Sequence, residues 1–205
     1  GSGRGDYRES PLELAGEPAD FRYTGYKIHE GGVSMACGLP QAHDAPETLE
    51  ITLRQPGAEL TLFYTAFPTA IVRRTVLANT GDKPLRLNKL MSSCVDLPGS
   101  YTMATFNGGW IAEMRRCDTP VGASKVVNES LTGSSSNRHN PGFLLYEPGA
   151  TEDAGTVYGF NLIYSGNHYA AAQHTSQGAP AVAALPEQSR QDDGAEGGAE
   201  ASPGE

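Results

Sequence analysis

Thr48-Leu49-Glu50-Ile51-Thr52-Leu53 alternates apolar and polar side chains at every step. A period of two puts Leu49, Ile51 and Leu53 on one face of an extended chain and Glu50 and Thr52 on the other, the pattern of a strand with one side on a core. Leu60 to Phe67 continues the theme, with Leu60, Leu62 and Tyr64 set against Thr61, Phe63 and Thr65. Bulk on both faces predicts a central strand. From Ala70 to Ala78 a third run stops at Asn79-Thr80-Gly81-Asp82, where Gly81 can take positive φ and Asn79 and Asp82 can bond nearby backbone. Leu85 to Asp96 leaves that turn as a long strand, so residues 70–96 are predicted to form a hairpin.

Further strands are predicted over Phe21–Ile28, Tyr101–Phe106, Gly109–Met114, Phe143–Tyr146, Val157–Tyr164 and Tyr169–Gln173, with Asn107-Gly108 as a hairpin turn. Gly 25 and Pro 14 in 205 residues suit many turns between short strands. No helix longer than about two turns is expected. The fold class is therefore all-β, an antiparallel sandwich, in a single domain over residues 1–175. From about Ser176 the chain is Gly, Ala, Glu, Pro, Gln and Asp with Leu185 as its one large apolar residue, so residues 176–205 are predicted to be a disordered, low-complexity tail.

The formal charge is −9 and the pI near 5.0. Binding to phosphate backbones needs clustered Lys and Arg, so nucleic acid is excluded as a partner. Six acids against Arg190 over Glu187–Glu205 place −5 on the tail and leave −4 elsewhere, an ordinary solvated surface. Cys37, Cys94 and Cys117 are odd in number and widely spaced, which fits thiols in a reducing, cytoplasmic compartment better than a disulfide framework. No apolar run approaches the ~18 residues of a membrane helix, so no membrane partner is expected. The chain starts at Gly1, not Met, and reads as lacking its upstream part.

A polar excursion from Arg115 to Asn140 interrupts the strand pattern. Loops of that length in compact domains are more often functional than idle. Just before it stands Gly108-Gly109-Trp110, with the only tryptophan. Trp110 has two readings: a core or edge aromatic of a sandwich, or a platform on which the apolar face of a sugar stacks beside Asn, Ser and His groups. Serines 134–136 and the paired glycines read as loop and turn residues.

Catalytic chemistry is hard to find. Glycoside hydrolysis needs two carboxyl groups flanking one bond, and nothing in the sequence pairs any two of Asp6, Asp20, Asp44, Asp96, Glu113, Asp118, Glu152 and Asp153. His29, His43, His139, His168 and His174 show no metal-ligand spacing, so no metal is expected. There is no nucleophile elbow and no phosphate- or dinucleotide-binding glycine loop, and no cofactor is expected.

Eight blocks supply what the motifs do not. They are Gly3-Arg4-Gly5-Asp6-Tyr7-Arg8-Glu9-Ser10-Pro11, Asp20-Phe21-Arg22-Tyr23-Thr24-Gly25-Tyr26, residues 47–53, Asn79-Thr80-Gly81-Asp82, Gly108-Gly109-Trp110, His139-Asn140-Pro141-Gly142-Phe143, Thr151-Glu152-Asp153 and residues 158–167. In order and spacing they resemble the N-terminal domain of glycoside hydrolase family 36 α-galactosidases. The resemblance implies an antiparallel β-supersandwich that in complete enzymes precedes a (β/α)₈ barrel and a small C-terminal β domain. It places both catalytic aspartates on the barrel, in motifs this chain does not contain, so the domain is expected to be non-catalytic by itself. It implies an α-galactoside substrate met through the complete enzyme, a homo-oligomer, and sandwich loops that approach the barrel of the same or a neighbouring subunit. The substrate-contact candidates carried over are Asp6, with Trp110 and Asn140.

Two departures accompany the resemblance. The family's strands before the Gly-Asp-Tyr-Arg loop are missing, and after Gln173 its continuing strands give way to the acidic tail. An incomplete sandwich with unpaired edges is expected, a fragment of marginal stability. Two other functions are compatible with a bare sandwich: a stand-alone carbohydrate-binding or assembly module, and a mutarotase-like enzyme using His139 with Glu152 as its acid/base pair.

Overall fold

The computed structural model describes residues 10–34, 41–135, 138–174 and, as backbone, 181–187. Among them there are fourteen strands and no helix. Every strand pairing is antiparallel.

The alternating stretch forms the middle of a meander: β3 (Arg22–Glu30), β4 (Glu47–Gln55), β5 (Ala58–Ala66) and β6 (Ile71–Asn79) lie side by side in chain order. Register runs unbroken from Glu47↔Ala66 to Gln55↔Ala58, so the turn at Pro56-Gly57 is tight, with Gly57 at φ +79°. Leu53, Leu60, Leu62 and Leu77 share the face that packs on Leu12 and Leu14.

A second sheet holds β12 (Val157–Phe160), β11 (His139–Tyr146), β8 (Thr102–Gly109) and β9 (Ala112–Pro120), in that order. The third has six strands, β10 (Val126–Ser130), β13 (His168–His174), β14 (Ala181–Glu187), β7 (Leu87–Leu97), β1 (Leu12–Leu14) and β2 (Glu17–Pro18). Both smaller sheets pack on this one. Met103, Phe143 and Leu145 of the second sheet meet Leu97, Ala170 and Ala172 of the third in one apolar cluster. Leu145 and Met103 are wholly buried there, and Phe143 and Phe160 stack at 4.9 Å between centroids and 7° between planes.

Three sequence expectations are corrected. Residues 70–96 do not form a hairpin: β6 pairs with β5, whereas β7 pairs with β1 and β14. The turn itself is real, since Asn79 Oδ1 accepts from the Gly81 amide at 3.0 Å and Asn79 Nδ2 donates to the Lys83 carbonyl at 2.8 Å. Gly81 serves there by close approach, because a Cβ would stand 3.2 Å from Gly57 Cα. A turn signal fixes a change of direction, not the next neighbour.

The polar excursion is also largely strand. β9 runs on to Pro120 and β10 occupies Val126–Ser130. β9 is an edge strand exposed along nearly its whole length, so it has no buried face to impose alternation on its sequence. Val157–Tyr164, conversely, stops being a strand after Phe160.

The third correction concerns the tail, where residues 181–187 form a strand between β13 and β7, with Ala171↔Ala184 on one side and Cys94↔Ala184 on the other. Its apolar run Ala181-Val182-Ala183-Ala184-Leu185 shows no alternation and sits in polar, low-complexity sequence, which hides it. Pro186, which cannot donate to a ladder, falls where the register with β7 shifts between Leu185 and Pro186. The remainder of the predicted tail lies outside the described residues.

The core also carries a histidine. His168, 1% exposed, makes no hydrogen bond from either ring nitrogen to a described residue. Burial, with the neighbouring His139 adding to it, pushes its pKa below the ordinary 6.5. A folded-state pKa below the unfolded one means the unfolded chain takes the proton first as pH falls. Stability contributed by neutral His168 is thus complete above pH ~6.5 and declines below it. Urea titrations between pH 7.5 and 5 are expected to show that decline, and His168→Leu to flatten it. Slow amide exchange at Val182, Ala183 and Ala184, matching that of β7, is expected from a strand paired on both edges.

Candidate functional site

The β8–β9 hairpin carries the tryptophan. Gly109 pairs with Ala112, so the turn consists of Trp110 and Ile111, three residues beyond the Asn107-Gly108 position read from sequence. Asn107 and Gly108 lie inside β8. What Gly108 provides is room: two residues of β9, Glu113 and Met114, bulge opposite it. A Cβ at Gly108 would clash with the Ala112 carbonyl oxygen and stand 2.9 Å from Glu113 Cα. Met114 takes φ +56° in the bulge and Ile111 φ +66° in the turn. For a β-branched residue that region is strained. Glu113 Oε1 accepts the Ile111 amide at 3.1 Å and holds the turn.

Trp110 is 88% exposed and Ile111 81%. The core reading of Trp110 is therefore wrong, and the indole stands at the tip of a projecting hairpin. Isolated exposed apolar residues need no explanation, but Trp110, Ile111 and Met114 lie in one hairpin, and two of them, Ile111 and Met114, are held at positive φ.

Asn140 belongs to the same site. It enters β11 through Asn140-Pro141-Gly142, where register with β8 shifts between His139 and Phe143. Its Oδ1 accepts the Gly142 amide at 2.8 Å, its Nδ2 donates to Met114 Sδ at 3.4 Å, and its carbonyl accepts Asn128 Nδ2 at 2.8 Å. Through its side chain Asn140 thus braces the bulge of β11 and touches the bulge of β9, and through its backbone carbonyl it ties down β10. The Gly108 amide adds a bond to the Arg138 carbonyl at 3.1 Å. The structure brings the hairpin of Trp110 and Asn140 together, and Asp6 lies outside the described residues.

The Ser-rich loop is tied to the turn before β13. The Ser135 hydroxyl donates within 3.0 Å of the Tyr164 and Gly166 carbonyls, and the Gly133 amide donates to Asn167 Oδ1 at 2.6 Å. These serve the fold, as a loop reading expects.

Beside Met114 and Asn140 the outer face of the second sheet sinks into a cleft of about 380 Å³, lined also by Phe106, Leu144, Gly142, Gly159 and Asn161. Phe106, Leu144, Gly159 and Asn161 were not singled out from sequence. Two glycines two strand positions from polar neighbours were the available signal. No carboxylate lines the cleft, so it holds no acid/base pair for glycoside hydrolysis. The mutarotase-like pair fails on distance: His139 opens β11 and Glu152 lies in the turn beyond its last residue, Tyr146. His139 pairs with Asn107 and Tyr146 with Thr102, so the strand between them is about 17 Å long.

The described residues form an antiparallel β domain with an apolar hairpin exposed to solvent. Residues 1–189 match the glycosyl hydrolase family 36 N-terminal domain, and the chain belongs to that family. It is 34% identical over 199 residues to probable alpha-galactosidase G of Emericella nidulans, covering 91% of this chain and 27% of that protein. To the bifunctional alpha-galactosidase/sucrose kinase AgaSK of Mediterraneibacter gnavus it is 33% identical over 177 residues, 80% of this chain and 19% of the relative. Its fold superposes with TM-score 0.80 on alpha-galactosidase AgaA from Geobacillus stearothermophilus in complex with stachyose, at 31% identity, covering 90% of this chain and 27% of that one. The chain spans about a quarter of the length of such relatives.

Strain at Ile111 can be removed without touching a partner. Ile111→Gly is expected to raise stability by about 0.5–1 kcal/mol, measured by urea titration, because glycine adopts positive φ freely.

Proposed function

We propose that this chain serves as the non-catalytic N-terminal domain of an α-galactosidase that hydrolyses terminal α-galactosides of the raffinose and stachyose type. In this reading the Trp110 hairpin and the Asp6 loop border the active site of a barrel, in the same or a neighbouring subunit of a homo-oligomer. The observation that carries it is the projecting tip: an 88% exposed indole, followed in the turn by Ile111 at positive φ, in a domain whose relatives are about four times longer. An apolar body with a polar N–H suits the flat face of a sugar or the rim of a site that binds one. Relatives crystallised with stachyose and with raffinose support the substrate class. A reducing, cytoplasmic location is part of the proposal and rests on the odd number and wide spacing of Cys37, Cys94 and Cys117 in the sequence.

Asp6 contributes by charge. A carboxylate accepting sugar hydroxyls makes bonds worth about 1.5–3 kcal/mol, roughly ten- to a hundredfold in binding. The test is a chimera in which this chain replaces the equivalent domain of the Geobacillus enzyme AgaA. The isolated chain is expected to give no turnover of an aryl α-galactoside above buffer. In the chimera, Trp110→Ala and Asp6→Asn are expected to raise KM at least fivefold with kcat little changed, the signature of lost uniform binding. An unchanged KM with a lower melting temperature would make both residues structural braces and defeat the reading.

A further inference from the structure

We infer that the cleft on the outer face of the second sheet is itself a binding site for one pyranose ring, independent of any barrel. The ligand class follows the reading above; the cleft does not. Register builds it: Leu144 pairs with Gly159 and Phe143 with Phe160, so the next pair along the ladder sets Gly142 against Asn161. Alternation then puts Gly142, Leu144, Gly159 and Asn161 on one face, with Phe106 beside them on β8. Two glycines expose bare backbone as a floor. Phe106, Leu144 and Met114 supply apolar walls.

Polar groups converge over that floor. A Cβ at Gly142 would lie 3.1 Å from Asn140 Oδ1 and 3.3 Å from Asn161 Oδ1, so two carboxamide oxygens meet above one glycine. Asn140 is fixed by its bonds to the Gly142 amide and Met114, whereas the exposed Asn161 side chain bonds no described residue. One carboxamide is preorganised and the other is available to donate as well as accept. An apolar surface with a few fixed amides is what a sugar needs, its C–H face against the phenyl and thioether and its hydroxyls toward the amides.

The test is an amide NMR titration of the 205-residue chain with methyl α-galactopyranoside. Saturable shifts are expected at the Gly142 and Gly159 amides and the Asn161 side-chain amide. Gly159→Val should abolish them by filling the cleft. Its new Cβ meets Leu144 Cδ2 at an ordinary 3.6 Å, so the fold tolerates it. Asn161→Ala, at an exposed position, should weaken binding about fivefold, the worth of one neutral hydrogen bond. Val157→Thr, on the same face outside the cleft, should leave it unchanged. No saturable shift, or shifts that survive Gly159→Val, would overturn the inference. So would concentration-dependent shifts of the same amides without sugar, which would assign the cleft to a second copy of the chain. Each of these leaves the domain assignment standing, since the chimera tests that separately.

Discussion

Residues 181–187 hydrogen-bond on both sides, to β7 through Ala181↔Leu97 to Glu187↔Leu90 and to β13 through His168↔Glu187 to His174↔Ala181. The packing of the second sheet on the third depends on that double ladder. It sets Leu97 of β7 and Ala170 and Ala172 of β13 into one surface, and the second sheet packs on that surface with Met103, Phe143 and Leu145. Remove the strand and two central strands become facing edges with unpaired backbone beneath a buried core, a cost of the kind folded proteins rarely carry. β10 and β13 would then be held to the rest by side chains alone.

Much of the fold is legible in the sequence because a half-buried strand must alternate. Leu49, Ile51 and Leu53 announce β4, and bulk on both faces of Leu60–Phe67 announces its central place. What was not legible is pairing between distant segments. Asn79-Thr80-Gly81-Asp82 does turn the chain, yet β7 crosses to another sheet, since no local residue records which edge is open. β9 and the strand at 181–187 escaped for opposite reasons. One is exposed on both faces and the other is apolar only through small residues and Leu185.

The site was half visible. Trp110 and Asn140 stand out as residue types near turns, but the contact of Asn140 with the Trp110 hairpin depends on two irregularities, a shift of one residue in β9 and of two in β11, that set Met114 against Asn140. Gly108 reads as a turn glycine because close backbone approach and positive φ leave the same letter in a sequence. The departures from the family pattern proved milder than the bare sequence suggests, as the strand after β13 is present and in register. Ala15 and Asp44 also take positive φ, but at Ile111 and Met114 the disagreement between local preference and structure coincides with an exposed apolar hairpin.

The three sheets differ in how far along the chain their neighbours lie. β3 to β6 pair in strict succession, so that sheet consists of contacts that close soon after each strand is made. The six-stranded sheet joins Leu12 to Leu90 and Leu90 in turn to Glu187, bringing the start, middle and later part of the chain into one ladder. On a ribosome delivering about 5–20 residues each second, the meander can assemble while the larger sheet still lacks a central member. For several seconds the second apolar cluster has no complete surface to close against, and in that interval the nascent chain is most in need of a chaperone.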